Sequence, residues 1–417
     1  MVKKYKPIIK NMEYPKLSLL YGEPIALQSE HYNLYLQKIV ENAGYDINSE
    51  RILLDSAAIC VYSMLSRLFE KNYKIWQPQE RLEIASDIYS YLGFGLLPAK
   101  DLSIHGGKVV TPSTHYTLGW KNKWGKRDKP VDYFTCGFLQ AAMSLAYSKP
   151  LGAYQVKQSR CLTMGEDENE FVIQRRDTYK QYSISPGVGI LPPKYTIEEQ
   201  KFSQLDTGKI TQWMLEILST EANNGLLSLF GIPMTRHFAN YYNYLSFELE
   251  KEITGFTGDS LLAREMLIEV ANYGAFYTFG NMMKSEEWYH FVVPNCKIRE
   301  DWIASLVTCI NTFGWGSWEI RKVVPNDKLL IRVYGGYESN FFLRNYEKSE
   351  FSKSYFATGI AGGIMNLLYN IDITQKPELS DEFFEETFDT EFSFVAVQTS
   401  SRCMGDDYCE FEARGLF

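Results

Sequence analysis

At 417 residues the chain is too long for one typical domain, and its 45% hydrophobic and 23% charged residues supply a packed core and a soluble surface. That mix excludes a disordered, collagen-like or fibrous protein. The net charge of -8 argues against a nucleic-acid binder working through a broad basic face, and the 15% aromatic content favours aromatic-lined pockets.

The first sixteen residues carry five lysines with no apolar run behind them, where a secretory signal needs roughly 7–15 apolar residues. The expectation is a cytoplasmic chain. Helical spacing of Tyr32, Tyr35, Leu36, Ile39 and Val40 predicts a helix over 29–44, ending at Gly44. A second helix, apolar nearly all round, follows at 50–70, and a third at 79–92. Strands are expected at 108–111 and 113–120, then a helix at 133–147. Strands at 154–159 and 170–174 close the unit around a Met-Gly-acidic turn. A Pro/Gly loop over 184–195 and a helix over 196–222 lead into a second set. This has helices over 236–254, 260–283 and 299–313, strands over 317–346, a helix at 355–369 and a hairpin over 391–415. The segment 354–371 is uncharged for 18 residues, but its glycines, asparagines, Ser and Thr mark a buried helix rather than a membrane span. The stretch 372–391 holds eight acidic residues and one lysine, and reads as a solvated insertion or a recognition arm for a basic partner.

The two sets correspond in order. YFTCGFLQAAMSLAY (133–147) and YFATGIAGGIMNLLY (355–369) share six of fifteen positions, with Gly137 matching Gly359. YLGFG (91–95) answers TFGWG (312–316), LYGEPIAL (20–27) answers LFGIPMTR (229–236), and QSRCLTMGEDENEF (158–171) answers QTSSRCMGDDYCEF (398–411). The chain therefore reads as an internal duplication. Its parts are a first domain at 1–175, a connector at 176–224 and a second domain at 225–417. The fold class is mixed α and β (α+β): two tandem copies of an antiparallel sheet covered by helices on one face, related by a pseudo-twofold axis.

The closing hairpins, each after a small-residue helix that begins YFxxG, resemble the C-terminal signature of the four-vinyl-reductase domain family. That family shares its fold with the small core subunits of the TRAPP tethering complex and with the sensory domains of regulators that respond to aromatic compounds. In some members the signature is a structural zinc site. Position by position, this chain offers Cys136, Gln158, Cys161 and Asn169 in one copy and Thr358, Gln398, Ser401 and Cys409 in the other. With an amide where the carboxylate belongs and too few thiols, no metal is expected. The seven cysteines are odd in number and scattered, and read as reduced and mostly buried.

Catalytic motifs are thin. The five histidines fall in no metalloprotease pattern, and no nucleophile elbow or phosphate loop occurs. Gly93/Gly95 and Gly314/Gly316 read as helix stops. Following the resemblance, a ligand would lie between sheet and helices, lined by His105 and His115 in one copy and by Trp315, Trp318 and Tyr334 in the other. Lys121, Lys123, Lys126 and Arg127 form a local basic patch. The first reading is a non-enzymatic binding protein for an apolar or aromatic small molecule or a lipid chain, with no cofactor, signalling to or docking on a protein partner. The alternatives are an assembly adaptor with no ligand, or an enzyme or carrier of a tetrapyrrole pathway. Neither nucleic acid nor a transmembrane placement is expected.

Overall fold

In the computed structural model, which describes residues 4–45, 47–70, 75–196 and 203–415, the hairpin matches of the sequence become strands. Three strands open the chain: β1 (Ile9–Asn11), β2 (Ser18–Leu20) and β3 (Glu23–Ser29). Ser29 then caps α1 (Glu30–Asn42), its hydroxyl accepting the Tyr32 N–H. The core helix α2 (Ser49–Glu70) and α3 (Pro78–Tyr91) follow, then β4 (Gly106–Thr111) and α4 (His115–Trp124). After α5 (Tyr133–Ala146) the hairpin β5 (Tyr154–Arg160) and β6 (Asn169–Arg175) ends the first half. A connecting helix, α6 (Thr207–Leu218), precedes β7 (Leu227–Leu229), β8 (Ile232–Phe238), α7 (Ala239–Thr257), α8 (Leu261–Lys284), α9 (Glu286–Phe291) and α10 (Glu300–Ile310). The second half continues through β9 (Ser317–Val324), β10 (Lys328–Tyr334), α11 (Tyr337–Asn345), α12 (Tyr355–Tyr369), α13 (Asp381–Phe388), β11 (Phe394–Ser400) and β12 (Cys409–Gly415).

The strands form three antiparallel sheets, so the mixed α and β class holds. One sheet, β4-β6-β5, lies in the first half and is backed by α5; another, β11-β12-β10-β9, lies in the second and is backed by α12. The third has the order β1-β2-β3-β8-β7 and takes strands from both halves. In each half the small-residue helix crosses a long apolar one at close range. A Cβ at Gly137 would stand 2.6 Å from the Leu54 carbonyl oxygen, and one at Gly359 2.3 Å from that of Ile268. Only glycine permits backbones to approach this closely. By length and composition α2 would suit a membrane, but 67% of its apolar window is buried inside the protein. All seven cysteines are free thiols; Cys296 is half-buried and the others are buried.

Several element assignments are corrected. Residues 115–124 are helical, not extended, because Thr114 and Thr117 exchange side-chain and backbone hydrogen bonds in a capping box that starts a helix. The span 317–346 holds two strands and then α11, opened by the turn at Gly335, whose φ is +62°. Residues 232–238 are strand before α7 begins, and the connector helix is confined to 207–218; residues 197–202 of its expected span lie outside the described residues. The acidic stretch contains α13, which buries Phe384 and Phe388 against Phe276 of α8, with ring centroids 5.4 and 5.0 Å apart. It is a docked helix rather than a free loop.

Candidate functional site

The antiparallel pairing of β3 with β8 sets Leu27 opposite Arg236 and Ala26 opposite His237. Two matching backbone bonds tie this pair to the helix ends beside it: Arg236 N–H donates to the Leu92 carbonyl at 2.9 Å, and Leu27 N–H to the Phe313 carbonyl at 2.9 Å. Each half thereby sends the end of its long strand, and the helix after it, into the aromatic interior of the other.

On the first-half side, Phe94, His115, Tyr116 and Phe134 meet His237 and Tyr241 of the second half. Phe94 and Phe134 stack at 4.2 Å, and the His237 ring lies 4.6 Å from both Phe134 and Tyr241. The Phe94 carbonyl accepts the His115 N–H, which fixes the start of α4 against this cluster. A buried polar chain crosses the junction. The Tyr242 hydroxyl donates to Asn33 Oδ1 at 2.6 Å, and the Asn33 amide donates to His115 Nε2 and to Thr235 Oγ1, each at 3.0 Å. The Tyr116 hydroxyl bonds His237 Nε2 at 3.0 Å.

Because Nε2 of His115 accepts from Asn33, its proton resides on Nδ1. That Nδ1 is buried and has no hydrogen-bond partner among the described residues. Burial pushes the His115 imidazole down to about 3 and holds that of His237 well below its ordinary value. Both rings stay neutral at physiological pH. They offer hydrogen bonds without exchanging protons as a histidine titrating near 7 would.

The second-half side is built alike. Trp315 and Phe356 meet edge to face at 4.6 Å, Tyr337 lies 5.6 Å from Phe356, and Tyr32 of the first half closes the cluster 5.1 Å from Phe356. The Trp315 indole N–H donates to the Leu27 carbonyl at 3.0 Å. Both clusters rest on a central helix whose N-terminus faces a buried acidic side chain. Asp132 accepts the Thr135 N–H at 2.9 Å at the start of α5; Glu338 accepts the Phe356 and Ala357 N–H groups at 2.9 and 3.3 Å at the start of α12.

The residues expected to line a pocket therefore part company. His115 and Trp315 enter the two clusters, and Trp318 packs beside Trp315 with centroids 6.5 Å apart. Tyr334 lies elsewhere: its hydroxyl donates to Glu319 at 3.0 Å and its ring faces Tyr195 at 5.2 Å. His105 is exposed on the turn that leads into β4. His237, Tyr116, Asn33, Tyr241 and Tyr242 were missed. The match of LYGEPIAL with LFGIPMTR ends just before His237, Tyr241 and Tyr242 and carries no sign of the strand pairing that brings them across. Two members of the basic patch are occupied internally, Arg127 by Glu41 at 2.6 Å and Lys123 by Asp381 at 3.0 Å, while Lys121 and Lys126 are exposed.

The positions that carry zinc in the resembling family hold hydrogen bonds instead. Gln158 accepts the Asp132 N–H at 3.0 Å and donates to Asn169 at 3.1 Å, and Asn169 donates to Thr117 at 3.1 Å. In the second half, Gln398 accepts the Ser354 N–H at 3.3 Å, and the Ser354 hydroxyl meets the Cys409 thiol at 3.6 Å. Amides engaged with one another in this way do not fit a tetrahedral thiolate-and-carboxylate ion.

No protein-family model and no curated protein matches the chain. Among solved structures, the phenol-responsive sensory domain of the transcription activator PoxR, crystallised with phenol, aligns over 40% of this chain and 84% of its own. The identity is 10% and the TM-score 0.34, a likeness too slight to assign a family.

Proposed function

We propose that the chain is a binding protein for a neutral, aromatic or apolar small molecule, seated in the cluster around His115 and His237 and sensed by both halves at once. The observation that carries this reading is the unpartnered Nδ1–H of His115 within an aromatic wall. A buried donor left unmade costs about 1–3 kcal/mol, which a ligand with a hydroxyl or carbonyl oxygen would recover. The wall itself is drawn from both halves, so occupancy bears on how they sit together and supplies a signal for a protein partner.

The same reading takes the halves as tandem copies of one four-vinyl-reductase-like module. A recurrent detail supports it. Glu41 pairs with Arg127, whose guanidinium lies 4.3 Å over Trp120, and Glu250 pairs with Lys353, whose ammonium lies 5.6 Å over Phe342. A second reading, an assembly adaptor, draws on the exposed Phe256, Leu261 and Leu262 where α7 turns into α8.

Native mass spectrometry of the purified chain, followed by thermal melts with phenol, cresol and toluene, tests the first reading. Compounds bearing oxygen should raise the melting temperature more than toluene, and His115→Phe, which keeps an aromatic ring but removes both the Nδ1 donor and the Nε2 acceptor of Asn33, should abolish that difference. No co-purifying molecule and no shift with any compound would leave the adaptor reading in place.

A further inference from the structure

A separate groove of about 230 Å³ lies over the β3–β8 pair, where strands of the two halves meet. Its walls are largely apolar, with Ile25, Leu27, Leu218 and Phe313 beside the neutral polar Asn11, Ser18, Ser219 and Thr312, and the exposed Leu215 of α6 also lines it. Only one of the lining side chains is charged. Arg236, 7% exposed, lines the groove in the place where its strand partner is Leu27.

The guanidinium is held in position. Nη1 donates to the Tyr91 carbonyl at 2.8 Å, and Nη2 to the carbonyls of Leu218 and Thr220 at 2.9 and 2.8 Å. It also stacks 4.8 Å from the Tyr91 ring. These carbonyls belong to the C-terminal ends of α3 and α6, so they supply partial charges only. No carboxylate pairs with Arg236 among the described residues, and burial lowers its pKa. A guanidinium has five N–H donors, and three bonds leave donors to spare. Buried charges are ordinarily met by an opposite charge. Here a fixed cation without one borders a largely apolar groove.

We propose that this groove binds small monocarboxylates with an apolar tail, the carboxylate meeting Arg236 and the tail lying along Leu27 and Phe313. At about 30 Å³ per water-sized volume the groove admits a ligand of roughly eight non-hydrogen atoms, such as hexanoate. The site is separate from the His115 cluster, for which a neutral ligand is proposed above.

Calorimetric titration of the full chain at pH 7 with hexanoate and hexan-1-ol tests it. Hexanoate should bind at least about tenfold more tightly than the alcohol, and Arg236→Met should remove that preference. Should Arg236→Met fail to fold, Leu215→Glu serves in its place: it alters an exposed residue, sets a competing carboxylate in the groove lining, and should weaken hexanoate about tenfold while sparing the alcohol. Absence of hexanoate binding to the unaltered chain, equal affinity for acid and alcohol, or undiminished binding by the folded variants overturns the proposal.

Discussion

Glu338 is buried with its oxygens on two amide protons at the start of α12, and burial lifts its carboxyl to about 8. Its pKa is thus higher in the folded chain than in the unfolded one. The stability this confers is complete below about 4.5 and is lost as pH rises toward 8. Thermal melts at pH 5, 6.5 and 8 should therefore fall more steeply for the unaltered chain than for Glu338→Gln, by an amount on the order of a few kcal/mol across the interval. Parallel curves would contradict the assignment. At this scale the sequence was partly readable. His115 stood out as one of five histidines beside a predicted strand. His237 did not, since only the pairing of two strands some two hundred residues apart carries it to Tyr116, whose ring neighbours both imidazoles.

The helix crossings were the most legible elements, because YFxxG recurs with its glycine in register and only a close approach demands glycine there. Gly359→Ala would drive a methyl into the Ile268 carbonyl and the Ala271 side chain, at 2.3 and 2.6 Å, so α8 and α12 must separate. The expected loss is about 1–3 kcal/mol in chemical denaturation, even after the better helix propensity of alanine. Gly255→Ala in α7 meets open space and should instead stabilise by about 0.5–1 kcal/mol. Equal effects at the two sites would refute the packing argument. The strand expected at 113–120 failed for a local reason. Its alternation has period two, but the Thr114–Thr117 capping box commits the backbone to a helix before that alternation can be used.

Across the whole molecule, Lys123 and Asp381 join the first half to the inserted α13. One Asp381 oxygen accepts Lys123 at 3.0 Å and the Tyr273 and Tyr277 hydroxyls at 2.6 and 2.7 Å, and these donors hold the carboxyl down at about 2. A depressed carboxyl contributes stability above about 3.8 and loses it as pH falls toward 2. Asp381→Asn should cost about 1–2 kcal/mol, discounted for partial exposure, and hydrogen exchange should quicken over 381–388 more than over α12. Unchanged exchange in α13 would mean that its phenylalanines alone hold it. Neither this clasp nor the five-stranded sheet could be foreseen, because each depends on partners the chain sequence does not bring near.

That sheet has a consequence for how the polypeptide acquires its form. A fragment ending after β6 would leave β3 with bare amides and carbonyls along one side, and the remainder would leave β8 in the same condition. Synthesis from the amino terminus therefore leaves the early portion waiting, sticky and incomplete, until the later strand emerges. Two fragments produced together should reunite as an obligate heterodimer, while either one produced alone should aggregate.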